Sequence, residues 1–86
     1  MNHYTSPRFW SLYAGLPQDV RLQAQKSYRL LLRDPHHPSL RFKKIRGQEL
    51  WSARISKDYR AVATPVEGGL QWFWIGTHAD YDKLIK

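Results

Sequence analysis

Residues 50–75 read LWSARISKDYRAVATPVEGGLQWFWI, and the way this stretch divides decides the fold. Three runs rich in aromatic and β-branched residues (50–56, 59–64 and 70–75) are separated by Lys57-Asp58 and by PVEGG at 65–69. Runs of that composition with short turn-forming separators read as strands joined by hairpins, so the stretch is an antiparallel meander. Side chains alternate faces along a strand, and hairpin register decides which groups meet. Pairing Ile55 with Tyr59 sets Arg54 opposite Arg60 and Ala53 opposite Ala61. Pairing Thr64 with Leu70 sets Ala61 against Phe73 and Arg60 against Trp74. One face then collects Trp51, Ala53, Ile55, Tyr59, Ala61, Ala63, Phe73 and Ile75. The other collects Ser52, Arg54, Arg60, Val62, Trp72 and Trp74. The first face is the core face, because a slip of one residue in either hairpin buries an arginine.

Upstream the period changes. Ser6-Pro7 is a helix start, with serine as N-cap and proline at the first helical position. Phe9, Trp10, Leu12, Tyr13 and Leu16 supply its apolar side, and Gly15 lies near its end. Pro17 opens a second helix, with Asp19 in a first turn that favours an acid. Val20, Ala24, Tyr28 and Leu31 recur at helical spacing and predict one buried stripe. Asp34-Pro35 ends this helix, since the residue before proline avoids the helical region. PHHPS (35–39) is a loop, and LRFKKIRG (40–47) reads as a first strand or an extended arm. Downstream, DYDKLIK (80–86) closes the chain with a helical turn. The expected fold class is α+β: two N-terminal helices packed on one face of a small antiparallel sheet, a single domain over residues 1–86.

Composition narrows the function. The chain has 86 residues, with 14 Lys and Arg against 7 Asp and Glu, a net charge of +7. So basic a small domain points to a polyanion or an acidic protein as partner. It has no Cys, which removes disulfides and thiolate zinc sites, and its four His residues show no metal-ligand spacing, so no metal or cofactor is expected. The start MNHYTSPRFW lacks a signal-peptide pattern, and no apolar run approaches the ~20 residues that cross a bilayer. The chain is expected to be cytoplasmic, with no membrane partner.

The polar face of the meander carries the chemistry. Two arginines opposed across a ladder repel each other, and a bound phosphate relieves that repulsion because guanidinium forks match its oxygens. Trp74 beside Arg60 suits a cation–π pair. Trp72 and Trp74 either stack unpaired bases or flatten an open sheet face that binds a partner protein. Lys43, Lys44 and Arg46, with Arg41 nearby, form an electrostatic track or a charged edge that blocks sheet extension. His78, in the tail GTHADYD (76–82), is either a hydrogen-bonded turn residue or a proton-transfer group. Asp80 and Asp82 either hold the arginines or cap the last helical turn. His36 and His37 belong to a solvated loop.

The assembly FKKIRG, LWSARISKDYRAVA and WFWIGTHADYDKLI resembles the RelE/ParE superfamily of bacterial toxins from type II toxin–antitoxin systems. The likeness covers nearly the whole chain: helix pair, basic arm, a W-x-x-R-I strand, a Tyr59-Arg60 pair, then an apolar strand ending in Gly76 and His78. The resemblance implies one of two activities. RelE-like and HigB-like members cleave messenger RNA at the ribosome, leaving a 2′,3′-cyclic phosphate; ParE-like members poison DNA gyrase. Both kinds are neutralised by a cognate antitoxin. The leading expectation is an mRNA endoribonuclease that inhibits translation; the alternatives are a gyrase poison and an inactive homologue that binds only antitoxin.

Carried over by position, Arg60 matches the strand arginine that contacts the scissile phosphate, and Arg54 a basic residue on the preceding strand. His78 matches a basic or His position used as acid or phosphate ligand, and Tyr81 lies near a tail Tyr or His. Lys43, Lys44 and Arg46 fall along the nucleic acid path. Ser52 departs from the pattern, because many RelE-like members carry a second basic residue there.

Overall fold

The computed structural model describes residues 1–86. In chain order it holds β1 (Asn2–Thr5), α1 (Pro7–Ala14), α2 (Gln18–Arg33), a single 3-10 turn (Pro38–Leu40), β2 (Lys43–Lys44), β3 (Trp51–Ser56), β4 (Tyr59–Val66), β5 (Gly69–Thr77) and α3 (His78–Leu84). The strands form one sheet in the order β1-β5-β4-β3-β2. The α+β layering stands as expected, with α1 against β5 and α2 against β3.

The helix boundaries follow the residues that mark them. Ser6 Oγ accepts the Phe9 N–H, and Pro7 occupies the first turn, where no backbone donor is needed. Arg21 Nη1 donates to the Leu16 carbonyl at 2.6 Å, so a side chain of α2 satisfies the chain leaving α1. Asp34 closes α2. Val20 and Leu31 are buried as the helical period predicts, but Tyr28 is 48% exposed. It stands instead at the open side of the helix layer, edge-on to His3 with ring centroids 6.5 Å apart.

β1 is absent from the sequence reading. It runs parallel to β5, pairing Asn2 with Gly69 and Thr5 with Trp72. A Cβ on Gly69 would lie 1.9 Å from the Asn2 carbonyl oxygen, so only glycine lets this edge strand dock. NHYT has neither length nor alternation enough to announce a strand. The arm 40–47 contributes only two strand residues, because Arg41 adopts a left-handed conformation (φ 43) and Gln48 N–H closes a turn on the Ile45 carbonyl.

Both hairpins turn on two residues rather than on longer loops. Ser56 pairs with Tyr59, and a bulge between Arg54 and Ser56 restores the expected Arg54–Arg60 and Ala53–Ala61 pairs. The carbonyl of Ile55, the residue at that bulge, accepts from Ser27 Oγ of α2 at 3.4 Å. In the second hairpin Val66 pairs with Gly69, Thr64 with Gln71 and Ala63 with Trp72. A second bulge follows, after which Val62 pairs with Trp74 and Ala61 with Ile75. Here the sequence reading needs correcting: Ala61 does not meet Phe73, and Arg60 faces Gly76 rather than Trp74. The extra residue exchanges Trp72 for Phe73 in the core. Trp72 joins Leu31, Leu40, Ala53, Ala61, Ala63, Leu70 and Ile75 beneath α1 and α2, while Phe73 packs against a second cluster. That cluster, of Ile45, Val62, Trp74 and Tyr81, lies on the opposite sheet face under α3, which begins at His78 rather than at residue 80.

Candidate nucleic-acid interface

The polar face of β3 and β4 is left uncovered beside α3, and a small cavity of about 130 Å³ opens there. Arg54 and Arg60 enter it from the two strands, and Ser52 lies between them and the sheet edge. Lys43 on β2 pairs with Ser52, so its side chain stands on the same face; Arg41 precedes it. His78 and Tyr81, one helical turn apart at the start of α3, complete the wall. Four of the seven lining residues are arginine or lysine and none is a carboxylate.

The turn 56–59 holds the site from two directions. Arg60 Nη1 donates to the carbonyls of Ser56 at 2.7 Å and Tyr59 at 2.9 Å. The backbone N–H of His78 donates to the Asp58 carbonyl at 2.7 Å. One tight turn therefore fixes both the guanidinium of Arg60 and the start of α3, whose N-cap Thr77 accepts the Asp80 N–H at 3.1 Å. Gly76, across the ladder from Arg60, is needed because the Trp74 ring folds over it; a Cβ there would lie 2.7 Å from that ring.

Burial pulls the pKa of Arg60 below its ordinary value, and the neighbouring charges of Arg54 and Arg41 pull it further, against a smaller opposing pull from Tyr81 and Asp82. A guanidinium keeps its proton through such a shift, so the meaning is electrostatic: like charges are held together on a partly desolvated face. Arg54 Nε is buried with no hydrogen-bond partner, although buried donors are ordinarily satisfied. Asp82 is engaged with His78, Oδ2 lying 3.2 Å from Nδ1, with the two side chains 55% and 45% exposed. A carboxylate on Nδ1 favours the tautomer that leaves Nε2 free to take or give a proton. The site thus carries spare positive charge and one orientable imidazole, with an unsatisfied donor buried beneath it.

Arg54, Arg60, His78, Tyr81 and Lys43 come together as the sequence suggested, and Arg41 joins them. Lys44 does not: it pairs with Trp51 in the ladder, points to the other face and meets Glu49 at 3.2 Å. Arg46 is exposed and lies outside the cavity wall. Trp72 and Trp74 are only 5% and 7% exposed and offer no platform to a base. The Trp72 indole N–H donates to His3 Nδ1 at 3.0 Å, and Trp74 tilts against Tyr81. The signal that separates Lys43 from Lys44 is strand parity, which is readable only once the arm's register is known.

A second, larger cavity of about 510 Å³ opens on the opposite side of the sheet, between β1, α1 and α2. Phe9, Trp10, Tyr13 and Tyr28 line it with Trp72 at its floor, and 13 of its 17 lining residues are hydrophobic. No group of three or more His, Asp or Glu side chains is placed to hold a metal ion. No helix is long and apolar enough to cross a membrane.

The family described as ParE-like toxin domain matches residues 18–83. This chain belongs to that family, within the RelE/ParE superfamily. Solved toxin structures share the fold of this ParE-like domain. The YoeB/ParE toxin from Agrobacterium tumefaciens superposes with a TM-score of 0.68 at 19% identity, covering 91% of this chain and 99% of that one. RelE in the RelB–RelE antitoxin–toxin complex from Methanococcus jannaschii gives 0.73 at 12% identity, with 96% and 99% covered. YafQ from E. coli gives 0.70 at 15%, with 93% and 96% covered. No curated protein matches the sequence of the ParE-like domain.

Proposed function

We propose that this ParE-like domain is the toxin of a toxin–antitoxin pair and an endoribonuclease that cuts messenger RNA at the ribosome. The observation that carries the reading is the convergence of Arg54, Arg60 and His78 on one uncovered cavity free of carboxylates. In such a cleavage the 2′-oxygen attacks the adjacent phosphorus and the bond to the 5′-oxygen breaks. The products are a 2′,3′-cyclic phosphate and a 5′-hydroxyl. One proton leaves the 2′-hydroxyl and one reaches the departing oxygen. Charge developing on the phosphoryl oxygens is met by Arg60, already held by the turn, with the guanidinium of Arg54 assisting from the facing strand. His78, oriented by Asp82, serves one of the two proton transfers. The attacking and leaving oxygens lie on opposite sides of phosphorus, so solvent serves the other. Tyr81 orients the sugar, and Lys43 attracts the strand.

Induced expression followed by mapping of transcript 5′ ends tests this directly. Wild type is expected to give new 5′-hydroxyl ends and growth arrest, and Arg60→Ala or His78→Ala to give neither while remaining folded. Full toxicity in both variants would remove the nuclease assignment. A gyrase poison is the second reading, favoured by the ParE-like description of the family; it would show a DNA damage response with intact transcripts.

The partner that silences the toxin is a cognate antitoxin, as RelB is for RelE in the archaeal complex. Its seat is the apolar cavity beside α1 and α2, helices that carry Arg8, Arg21, Lys26, Arg29 and Arg33 against the single acid Asp19. An amphipathic segment with acidic flanks suits this site. Tyr28→Glu, at an exposed position of the cavity wall, is expected to stay toxic and escape neutralisation by a co-expressed acidic antitoxin.

A further inference from the structure

Arg41 is the only non-glycine residue with a positive φ, at φ 43 and ψ 39. A side-chain-bearing residue in this region is uncommon and strained, and such outliers persist where the surroundings over-determine them. Here they do. Leu40 before it is 1% exposed in the core. Phe42 after it stacks on Trp51 with ring centroids 4.9 Å apart. The Arg41 N–H donates to the Pro38 carbonyl at 3.3 Å. Two apolar anchors on one side of the sheet thus bracket a kink, and the side chain between them lines the basic cavity on the other side.

The charge there exceeds what one phosphate needs. Arg41, Lys43, Arg54 and Arg60 line the cavity without a carboxylate, and a phosphodiester carries a single negative charge. Arg54 and Arg60 face each other across β3 and β4; Arg41 and Lys43 approach from the arm on the sheet-edge side. Two cations therefore come from β3 and β4 and two from the arm, enough for two consecutive phosphates of a strand running from β4 toward β2.

We infer that Arg41 grips the phosphate next to the scissile one, so that the site takes a single-stranded polynucleotide with at least two consecutive phosphodiesters. The inference rests on the nuclease reading for which phosphate is scissile, but not for the binding itself. Arg41 is a positioning residue: by holding the flanking phosphate it keeps the scissile one against Arg60.

The test is binding of uncleavable 2′-deoxy oligonucleotides, a dinucleotide with one phosphodiester and a trinucleotide with two, across a salt series. Wild type should bind the trinucleotide about tenfold more tightly, the worth of one charged hydrogen-bonded contact. Arg41→Gly should lose most of that advantage, weakening trinucleotide binding more than dinucleotide binding. Its slope of log trinucleotide affinity against log salt should be shallower than that of wild type, because one charged phosphate contact is lost. Arg41→Lys should restore the slope. Because glycine accepts this backbone without strain, Arg41→Gly should melt no lower than wild type, which separates lost binding from lost folding. An unchanged slope and unchanged trinucleotide affinity in Arg41→Gly would overturn the inference, as would equal wild-type affinity for the two lengths. Wild type that discriminates the lengths but cuts no RNA would reject the nuclease and leave the subsite standing.

Discussion

The two faces of the sheet solve opposite problems with the same strands. Under α1 and α2, Ala53, Ala61 and Ala63 are small so that Trp72, Leu70 and Leu31 can close over them, and nothing ionised intrudes. On the reverse, Ser52, Arg54 and Arg60 occupy the alternate positions of those strands, leaving a patch where repulsion is tolerated and a donor is unsatisfied. Period-two alternation assigns the residues to the two jobs, and the basic patch can be poorly packed because the core face, with the smaller cluster of Ile45, Val62, Trp74 and Tyr81 beside the patch, supplies the stability. Substitutions on the first face should therefore be felt in folding, and those of the patch's arginines in function.

The largest expected effect is on the core face. Trp72→Ala removes a buried ring whose indole N–H is paired with His3, and should cost about 3–5 kcal/mol, a large share of the stability of so small a domain. Chemical denaturation measures it. Arg54→Met, across the sheet, should leave the same midpoint unchanged or raise it, since it removes a like-charge pair worth roughly 0.2–1 kcal/mol. Its RNA cleavage should nevertheless fall by about two orders of magnitude. A destabilised Arg54→Met would mean that the basic face is part of the scaffold and that the division of labour is wrong.

His3 sharpens the comparison with a smaller effect. It sits at the rim of the core face, its pKa lowered from 6.5 by burial and then by the N-terminal ammonium. The unfolded chain therefore takes up a proton at a higher pH than the folded one, and stability rises with pH wherever it binds more protons. The contribution is intact above pH 6.5, declines as pH falls below that value, and levels off once the depressed folded pKa is passed. Protonation at Nδ1 also removes the acceptor used by Trp72. Melting temperatures between pH 8 and pH 5 should decline for wild type more than for His3→Ala; parallel curves would show that His3 does not report on this face.

Much of this division is legible in the residues. Ser6-Pro7 and Asp34-Pro35 mark helix ends by local chemistry, and alternation alone places Arg54 opposite Arg60. The rest depends on geometry that one strand cannot announce. The bulge after Ala63 moves Trp72 into the core and sets Trp74 against Val62, because a single extra residue reverses the parity of everything beyond it. Glu67-Gly68 makes a tighter turn than PVEGG implied, so β4 continues through Pro65 to Val66. β1 has no internal signal, since its partner is the far strand β5. Arg41 was visible only as one more cation until its backbone set it apart.

The smallest contrast lies between adjacent lysines, and parity decides it. Lys43 pairs with Ser52 and lines the basic cavity, while Lys44 pairs with Trp51 and reaches Glu49. The Lys44–Glu49 pair is exposed, at 50% and 81%, so screening leaves it worth no more than about 0.5 kcal/mol. Lys44→Ala should thus barely change stability, and its effect on single-stranded RNA binding should be confined to the general loss of one positive charge. Lys43→Ala removes the same charge from one residue away but takes it out of the cavity. It should weaken RNA binding severalfold and lower the salt slope by about 0.7, with stability unchanged. Both variants carry the same net charge, so a difference between them measures placement alone. Equal binding by the two would mean that the strand is held by the overall field of the protein and not by this face, which would return both lysines to the role of a solvated edge.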